Sequence, residues 1–219
     1  MSEADPSSID AFIRRWAASG AAERANYQLF LSELCDVLEA PRPEPQAADD
    51  AQNGYVFEKA VPLPHGTTGR IDLYKRGCFV LEAKQGSDGW DVDAQTPSSS
   101  KTPSFSKKLG VSAGRRRRGT ATRGTSTWDT AMERAREQAQ RYARNLPPAE
   151  LAAAGSGGGR PPFVIVVDVG ATIELYSEFT RTGGAYLAFP DPQHHRIRLE
   201  DLRDPDVRAL LATVWTEPM

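Results

Sequence analysis

The sequence predicts an α/β domain in which a mixed β-sheet is flanked by helices. Residues 7–20 and 22–40 have apolar side chains at the three- and four-residue spacing of amphipathic helices. Three segments between Tyr55 and Lys84 are rich in branched and aromatic residues, which favours strands. The run "FVIVVDVG", residues 163–170, is typical of a strand buried on both faces of a sheet.

The remaining segments fit the same architecture. A third helix is expected from residue 128 to Pro147-Pro148, a further strand at "TIELYSEF", residues 172–179, and a fourth helix at residues 204–215. This gives two helices, three strands, a long insertion, a helix, two strands and a final helix. Helices and strands interleaved in this way favour helices packed on the faces of one mixed sheet.

A length of 219 residues favours a single domain, 1–219. Residues 86–127 lack apolar periodicity and are predicted to form a flexible basic insertion. At its centre is a run of four arginines, Arg115, Arg116, Arg117 and Arg118. Two readings of this arginine run stay open, a solvated loop and a nucleic-acid contact. Residues 196–219 are expected to form a strand and helix extension that leads to further domains of a parent protein.

Bulk composition narrows the class of protein only slightly. The net charge of −2 and the 26% of charged residues neither require nor exclude nucleic acid as a partner. Cys35 and Cys78 are outside any paired-cysteine motif, which disfavours a disulfide framework and a zinc cluster. Without a signal sequence or an apolar segment of bilayer length, a cytoplasmic protein with no membrane contact is expected.

The segment "GRIDLYKRGCFVLEAKQ", residues 69–85, reads as a hairpin with charged residues where apolar ones would dominate. Side chains alternate along a strand, so Glu82 and Lys84 share one face while Phe79, Leu81 and Ala83 share the other. A three-residue loop centred on Gly77 would place Asp72 directly opposite Glu82. Two carboxylates this close repel each other unless a cation lies between them.

Mg²⁺ is the expected cation, because it prefers hard oxygen ligands and pairs with phosphate-bearing substrates. Asp72 and Glu82 would be ligands, and the backbone carbonyl of Ala83 could add a third oxygen. Lys84 on the same face could orient or deprotonate a water, or neutralise charge on a phosphodiester. The alternative is that these are ordinary exposed charges of a hairpin, although "FVLEAK" would normally be an interior strand.

The third helix contains a second feature, "QAQRY". Gln138 and Tyr142 are four residues apart and therefore lie on one helical face. In isolation they would be read as a surface amide and a core tyrosine. Together with the hairpin they are predicted to be part of the catalytic site.

These residues resemble the motifs of the PD-(D/E)XK nuclease superfamily. Gly69-Arg70-Ile71-Asp72 matches its first acidic motif, with Ile71 in place of the proline, and Glu82-Ala83-Lys84 matches the E-x-K motif. Gln138 to Tyr142 matches the Q-x-x-x-Y helix motif of the RecB-like branch. The resemblance implies a restriction-endonuclease-like core that cuts double-stranded DNA with Mg²⁺, for which Mn²⁺ would substitute.

A narrower resemblance covers nearly the whole chain. "AERANYQLFLSELCDVL", the hairpin, "QAQRYARNLP" and "IELYSEFTRTGGAYLAFPD", in this order, resemble the N-terminal region of MmeI-like restriction-modification enzymes. This implies a bacterial restriction or phage-defence module whose methyltransferase and target-recognition domains are in the same polypeptide or complex. The chain has no Asn-Pro-Pro-aromatic motif and no glycine-rich loop after a strand, so methylation is expected elsewhere.

Several alternatives and minor candidates accompany this prediction. A catalytically idle module that binds DNA or a partner protein would have the same fold, and an active enzyme could pair as a dimer on DNA. Glu58 is a candidate further metal ligand, and Arg70 a candidate phosphate contact. Lower-ranked candidates are Glu33 as an extra acid, His65 in a loop, and residues 194–196, which are expected at the surface.

Overall fold

The structure, a computed structural model, describes residues 6–19, 23–87, 121–154 and 158–216. The helices are α1 (Pro6–Ala17), α2 (Glu23–Val37), α3 (Ser126–Arg144), α4 (Pro148–Ala152) and α5 (Pro205–Thr216). The strands are β1 (Tyr55–Pro62), β2 (Thr68–Lys75), β3 (Phe79–Lys84), β4 (Phe163–Asp168), β5 (Thr172–Ser177), β6 (Leu187–Ala188) and β7 (Arg196–Arg198).

The predicted basic insertion, residues 86–127, lies mostly outside these described residues. All four residues of its arginine run are among those outside, namely Arg115, Arg116, Arg117 and Arg118. Their contact with nucleic acid therefore stays a prediction. The described end of the insertion, from residue 121, leads directly into α3, which is predicted from residue 128 and begins two residues earlier, at Ser126.

The strands form one seven-stranded mixed sheet. Its order is β1-β2-β3-β4-β5-β6, and β7 also pairs with β5. Only β3 and β4 are parallel, and every other pairing between the described strands is antiparallel. A parallel pair needs a long crossover connection, and here the chain between β3 and β4 includes α3. The predicted α/β class with a mixed sheet flanked by helices is confirmed.

Each face of the sheet is covered by helices and has its own apolar core. On one face, α1, α2 and α5 pack on alternate residues of the central strands, among them Phe79, Leu81 and Ala83. On the other face, α3 packs on the sheet through apolar side chains. This second core includes Val80, Val164 and Val166 from the strands and Met132, Ala135 and Ala139 from α3. The central strand β4 is buried along its whole length, as its continuous apolar run predicted.

The C-terminal extension belongs to the same core. β7 pairs with β5, and α5 buries Leu211, Val214 and Trp215. The ring centroids of Trp215 and Phe79 are 4.7 Å apart, so α5 packs directly on β3. The C-terminal helix is therefore part of the core that supports the strand with the E-x-K motif.

Two short elements were not predicted from the sequence. After α3 ends, Pro148 starts α4, because proline is tolerated in a first helical turn where its missing N–H is not needed. The two-residue strand β6 has no apolar periodicity, and its pairing with β5 at the sheet edge defines it. No described helix combines the length and the hydropathy needed to cross a bilayer.

Candidate active site

The β2–β3 hairpin has the register that the sequence predicts. Its strands are joined by residues 76–78, and the central Gly77 has a φ of 72°, which favours glycine. The ladder pairs Lys75 with Phe79 and Leu73 with Leu81. Continued by one residue, this register places Asp72 opposite Glu82, at the end of the hairpin that faces away from the loop.

Glu82 is the buried carboxylate at the centre of the site, with a side chain only 3% exposed. Its Oε1 accepts a hydrogen bond from Lys84 Nζ at 2.8 Å and another from Gln138 Nε2 at 2.6 Å. A buried charge is costly unless it is paired and hydrogen-bonded, and both of these donors compensate the charge through Oε1. Since Lys84 is 19% exposed, it connects the buried acid to the protein surface.

Asp72 approaches the same strand from β2. Its Oδ2 accepts the backbone N–H of Ala83 at 2.7 Å, and Lys84 Nζ donates to the carbonyl oxygen of Ala83 at 3.0 Å. A continuous set of contacts therefore links Asp72, Ala83, Lys84 and Glu82. The structure thus brings together the three side chains of the predicted triad.

α3 supplies the other two predicted residues. Gln138 Nε2 also donates to the hydroxyl oxygen of Tyr142 at 3.2 Å, so both side chains of the Q-x-x-x-Y pattern face the hairpin. The Tyr142 ring lies against the backbone of Gly69, where an added Cβ would be 2.3 Å from Tyr142 Cε1. Glycine at position 69 is therefore required for Tyr142 to reach this position.

The donor set suits a hard divalent cation. Two carboxylates and one backbone carbonyl offer only oxygen, which Mg²⁺ prefers, and Mg²⁺ usually retains several waters. Among the described residues, no group of three or more histidine, cysteine or acidic side chains is arranged to hold a metal. The candidate ligands for such a cation are Asp72, Glu82 and the Ala83 carbonyl, and water would complete the coordination sphere.

Glu58 is close to this site in the sheet. The β1–β2 ladder pairs Phe57 with Leu73 and Lys59 with Ile71, so Glu58 lies opposite Asp72. The backbone of Glu58 has a left-handed conformation, with a φ of 55°. Its Oε1 accepts a hydrogen bond from the Tyr27 hydroxyl. Burial and this hydrogen bond raise the pKa of Tyr27, so the phenol stays a donor. Glu58 as a metal ligand remains a prediction.

The minor candidates have other contacts. Glu33 bonds to Trp16 Nε1 at 2.8 Å and to Arg15 at 2.7 Å, which ties α2 to α1. Exposed Arg70 donates to the carbonyl oxygen of Glu58 at 3.4 Å. His65 lies in an exposed turn between β1 and β2.

Residues 194–196 lie at the surface, as the sequence predicts, with His194 and Arg196 exposed and His195 half-buried. His194 is exposed and pairs with Asp191, but Arg196 forms an ion pair of 2.7 Å with Glu174, whose side chain is 1% exposed. The Arg196 guanidinium also lies over the Trp128 ring, 4.9 Å from its centroid. Arg196 therefore compensates a buried charge on the α3 face of the sheet.

Sequence reasoning missed a buried carboxylate next to the site. Asp168 is opposite Lys84 in the parallel β3–β4 ladder and is completely buried. It accepts hydrogen bonds from the Gly86 backbone N–H at 2.8 Å, from Trp128 Nε1 at 2.8 Å, and from Arg123 Nε and Nη2 at 2.8 and 3.0 Å. The available signal was an acid at the end of the apolar run "FVIVVD".

The comparison with protein families gives a match over almost the entire chain. The family described as "MmeI, N-terminal domain" matches residues 4–219. No curated protein and no solved structure matches the chain. The span of the family match includes the hairpin, α3 and the C-terminal helix, so the chain belongs to the MmeI N-terminal domain family.

Proposed function

We propose that this chain is the metal-dependent DNA endonuclease module of a restriction-modification or phage-defence system, with a site of the PD-(D/E)XK type. Membership in the MmeI N-terminal domain family suggests the restriction-modification context. The observation that supports the chemistry most directly is the contact of Glu82 Oε1 with both Lys84 and Gln138, beside an aspartate that contacts Ala83.

The residues divide the work of phosphodiester hydrolysis. Asp72, Glu82 and the Ala83 carbonyl would hold Mg²⁺ or Mn²⁺. When bound, such a cation acts as a Lewis acid on the phosphodiester and lowers the pKa of a water molecule. Lys84, whose Nζ contacts Glu82 and the Ala83 carbonyl, would neutralise charge on the phosphate in the transition state or orient the attacking water. Gln138 fixes the orientation of Glu82 through a hydrogen bond of 2.6 Å.

The buried position of Glu82 also supports a functional site. A glutamate and a lysine on the exposed face of an ordinary hairpin would be solvated, whereas here the Glu82 side chain is 3% exposed. Ion pairs of this kind contribute little net stability compared with apolar packing. A catalytic requirement explains their presence better than a structural one.

The test is cleavage of a supercoiled plasmid by the purified chain with Mg²⁺, Mn²⁺ or EDTA. We expect Asp72→Asn and Lys84→Ala each to lower the cleavage rate by about 100-fold or more, as is typical when a group that stabilises transition-state charge is removed. Asp36→Asn is the matched control, because Asp36 is half-exposed on α2 and pairs with Arg42. Its rate should equal that of the wild type.

Calorimetry with Mn²⁺ completes the test. The wild type should take up the ion, and Asp72→Asn should lose this uptake while it remains folded. Cleavage by Asp72→Asn and Lys84→Ala at the wild-type rate would contradict the assigned site. Uptake of Mn²⁺ without any cleavage would contradict the enzyme and favour a module that only binds DNA or a partner.

A further inference from the structure

A cleft of about 400 Å³ opens beside Lys84. One wall is the end of β3, and the other is formed by the first three turns of α3. The residues that line it are Lys84, Ser126, Thr127, Thr130, Ala131 and Arg134. The α3 residues recur every three or four positions and therefore share one helical face. At 1.5 Å per residue, Thr127 to Arg134 spans about 10 Å, or about three nucleotide steps of one DNA strand.

The lining of this α3 cleft is cationic and rich in hydroxyl groups. Lys84 and Arg134 provide positive charge, three further side chains provide hydroxyls, and no carboxylate of the described residues lines the cleft. Arg134 is exposed, and within the described part of the chain it has no ion-pair partner. Glu133 and Glu137 are close to Arg134 in sequence, but neither lines the cleft and neither forms an ion pair with Arg134.

The two walls of the cleft are fixed relative to each other. Asp168 accepts a hydrogen bond from the backbone of Gly86, two residues after Lys84, and another from Trp128 in the first turn of α3. Arg123, just before α3, pairs with the same carboxylate. Because Asp168 is completely buried, these bonds are shielded from water. The spacing between Lys84 and the lining residues of α3 is therefore set before any ligand binds.

We propose that the α3 cleft binds the phosphodiester backbone of one DNA strand, next to the phosphate that is cleaved at Lys84. Arg134 pairs with a phosphate one to three nucleotides from the scissile one, and the hydroxyls of Ser126 and Thr127 donate to phosphate oxygens. Such contacts position the strand without reading bases. The inference rests on the proposed function. The net charge of −2 gives no general attraction to DNA, so the local cations are decisive.

The experiment is a fluorescence anisotropy titration of a labelled duplex of about 16 base pairs in EDTA, where no metal-dependent cleavage proceeds. At about 50 mM salt, we expect Arg134→Ala to weaken binding about fivefold and Arg134→Lys to retain most of the affinity. The slope of log K against log salt should fall in magnitude by about 0.9, the value for one lost phosphate contact. Arg14→Ala is the matched control, since Arg14 is exposed on α1, which packs on the opposite face of the sheet.

Three results would overturn the α3 cleft as a DNA site. They are an unchanged affinity and salt slope in Arg134→Ala, an equal loss in Arg14→Ala, and no binding of the duplex by the wild type at the same low salt. Plasmid cleavage separates this inference from the proposed function. Weaker binding in Arg134→Ala with no cleavage by the wild type would support the cleft and contradict the enzyme. Cleavage that depends on Asp72, together with normal DNA binding by Arg134→Ala, would support the proposed function and contradict the α3 cleft as a DNA site.

Discussion

Among the carboxylates next to the site, Asp168 is predicted to contribute most to the free energy of unfolding. Asp168→Ala would remove the carboxylate that pairs with the Arg123 guanidinium, whose side chain is 17% exposed. It would also remove the acceptor of the Gly86 backbone N–H and of Trp128 Nε1. Removal of one partner from a buried ion pair costs about 3–5 kcal/mol. Because Arg123 is partly exposed and can be hydrated, we expect about 3 kcal/mol, and about half of that for Asp168→Asn, which retains one acceptor.

Urea unfolding followed by tryptophan fluorescence measures this loss. A double-mutant cycle with Arg123→Met should give a coupling free energy above about 1 kcal/mol, since the two side chains are in direct contact. Asp36→Ala, at a half-exposed surface pair, should leave the unfolding midpoint nearly unchanged. A loss below about 1 kcal/mol in Asp168→Ala, or additive effects in the cycle, would refute the assignment of Asp168 as the tie between β3, β4 and α3.

Three further variants test the site and the fold. Gly69→Ala should displace the Tyr142 ring and lower both cleavage and the unfolding midpoint, whereas Gly184→Ala, whose added Cβ would be 3.7 Å from its nearest neighbour, should do neither. Gln138→Met should lower kcat about tenfold or more with KM for DNA unchanged, because a hydrogen bond to a charged group contributes about 1.5–3 kcal/mol and about 1.4 kcal/mol corresponds to a tenfold change in rate. An altered KM alone would contradict a positioning role. Burial of Glu150 opposes its ionisation, but hydrogen bonds from Arg76 and Lys59 hold its pKa below the usual value for a glutamate. Its stabilising contribution is therefore complete above about pH 5 and is lost as the pH falls further, so unfolding measured between about pH 7 and pH 3 should depend less on pH in Glu150→Gln.

The α/β class, the major helices and the hairpin register follow from local patterns. Periodicity determines which face of α3 packs on the sheet, and alternation determines that Glu82 and Lys84 share a face of β3. The loop around Gly77 determines the register, because its length and its left-handed conformation leave one way to align β2 with β3. All of these depend on neighbours in sequence.

Contacts between distant segments could not be predicted in this way. Nothing in the sequence around Asp168 indicates that Gly86, Arg123 and Trp128 converge on it, since that depends on the parallel pairing of β3 with β4. The same applies to Glu58, whose carboxylate accepts a hydrogen bond from Tyr27 on α2. Such pairings depend on how helices and strands are arranged around the core, which local propensity does not specify.

The sequence by itself determined the chemistry that is available: two carboxylates, a lysine and the Gln138–Tyr142 pair, on a hairpin and a helix. It determined this because strand alternation and helical periodicity fix the direction of each side chain. Only the tertiary structure decided that Gln138 contacts Glu82, that Asp168 ties α3 to the end of β3, and that Arg134 and Lys84 line one cleft. The physical reason is that the packing of α3 across the sheet sets these distances, and that packing is a property of the whole core.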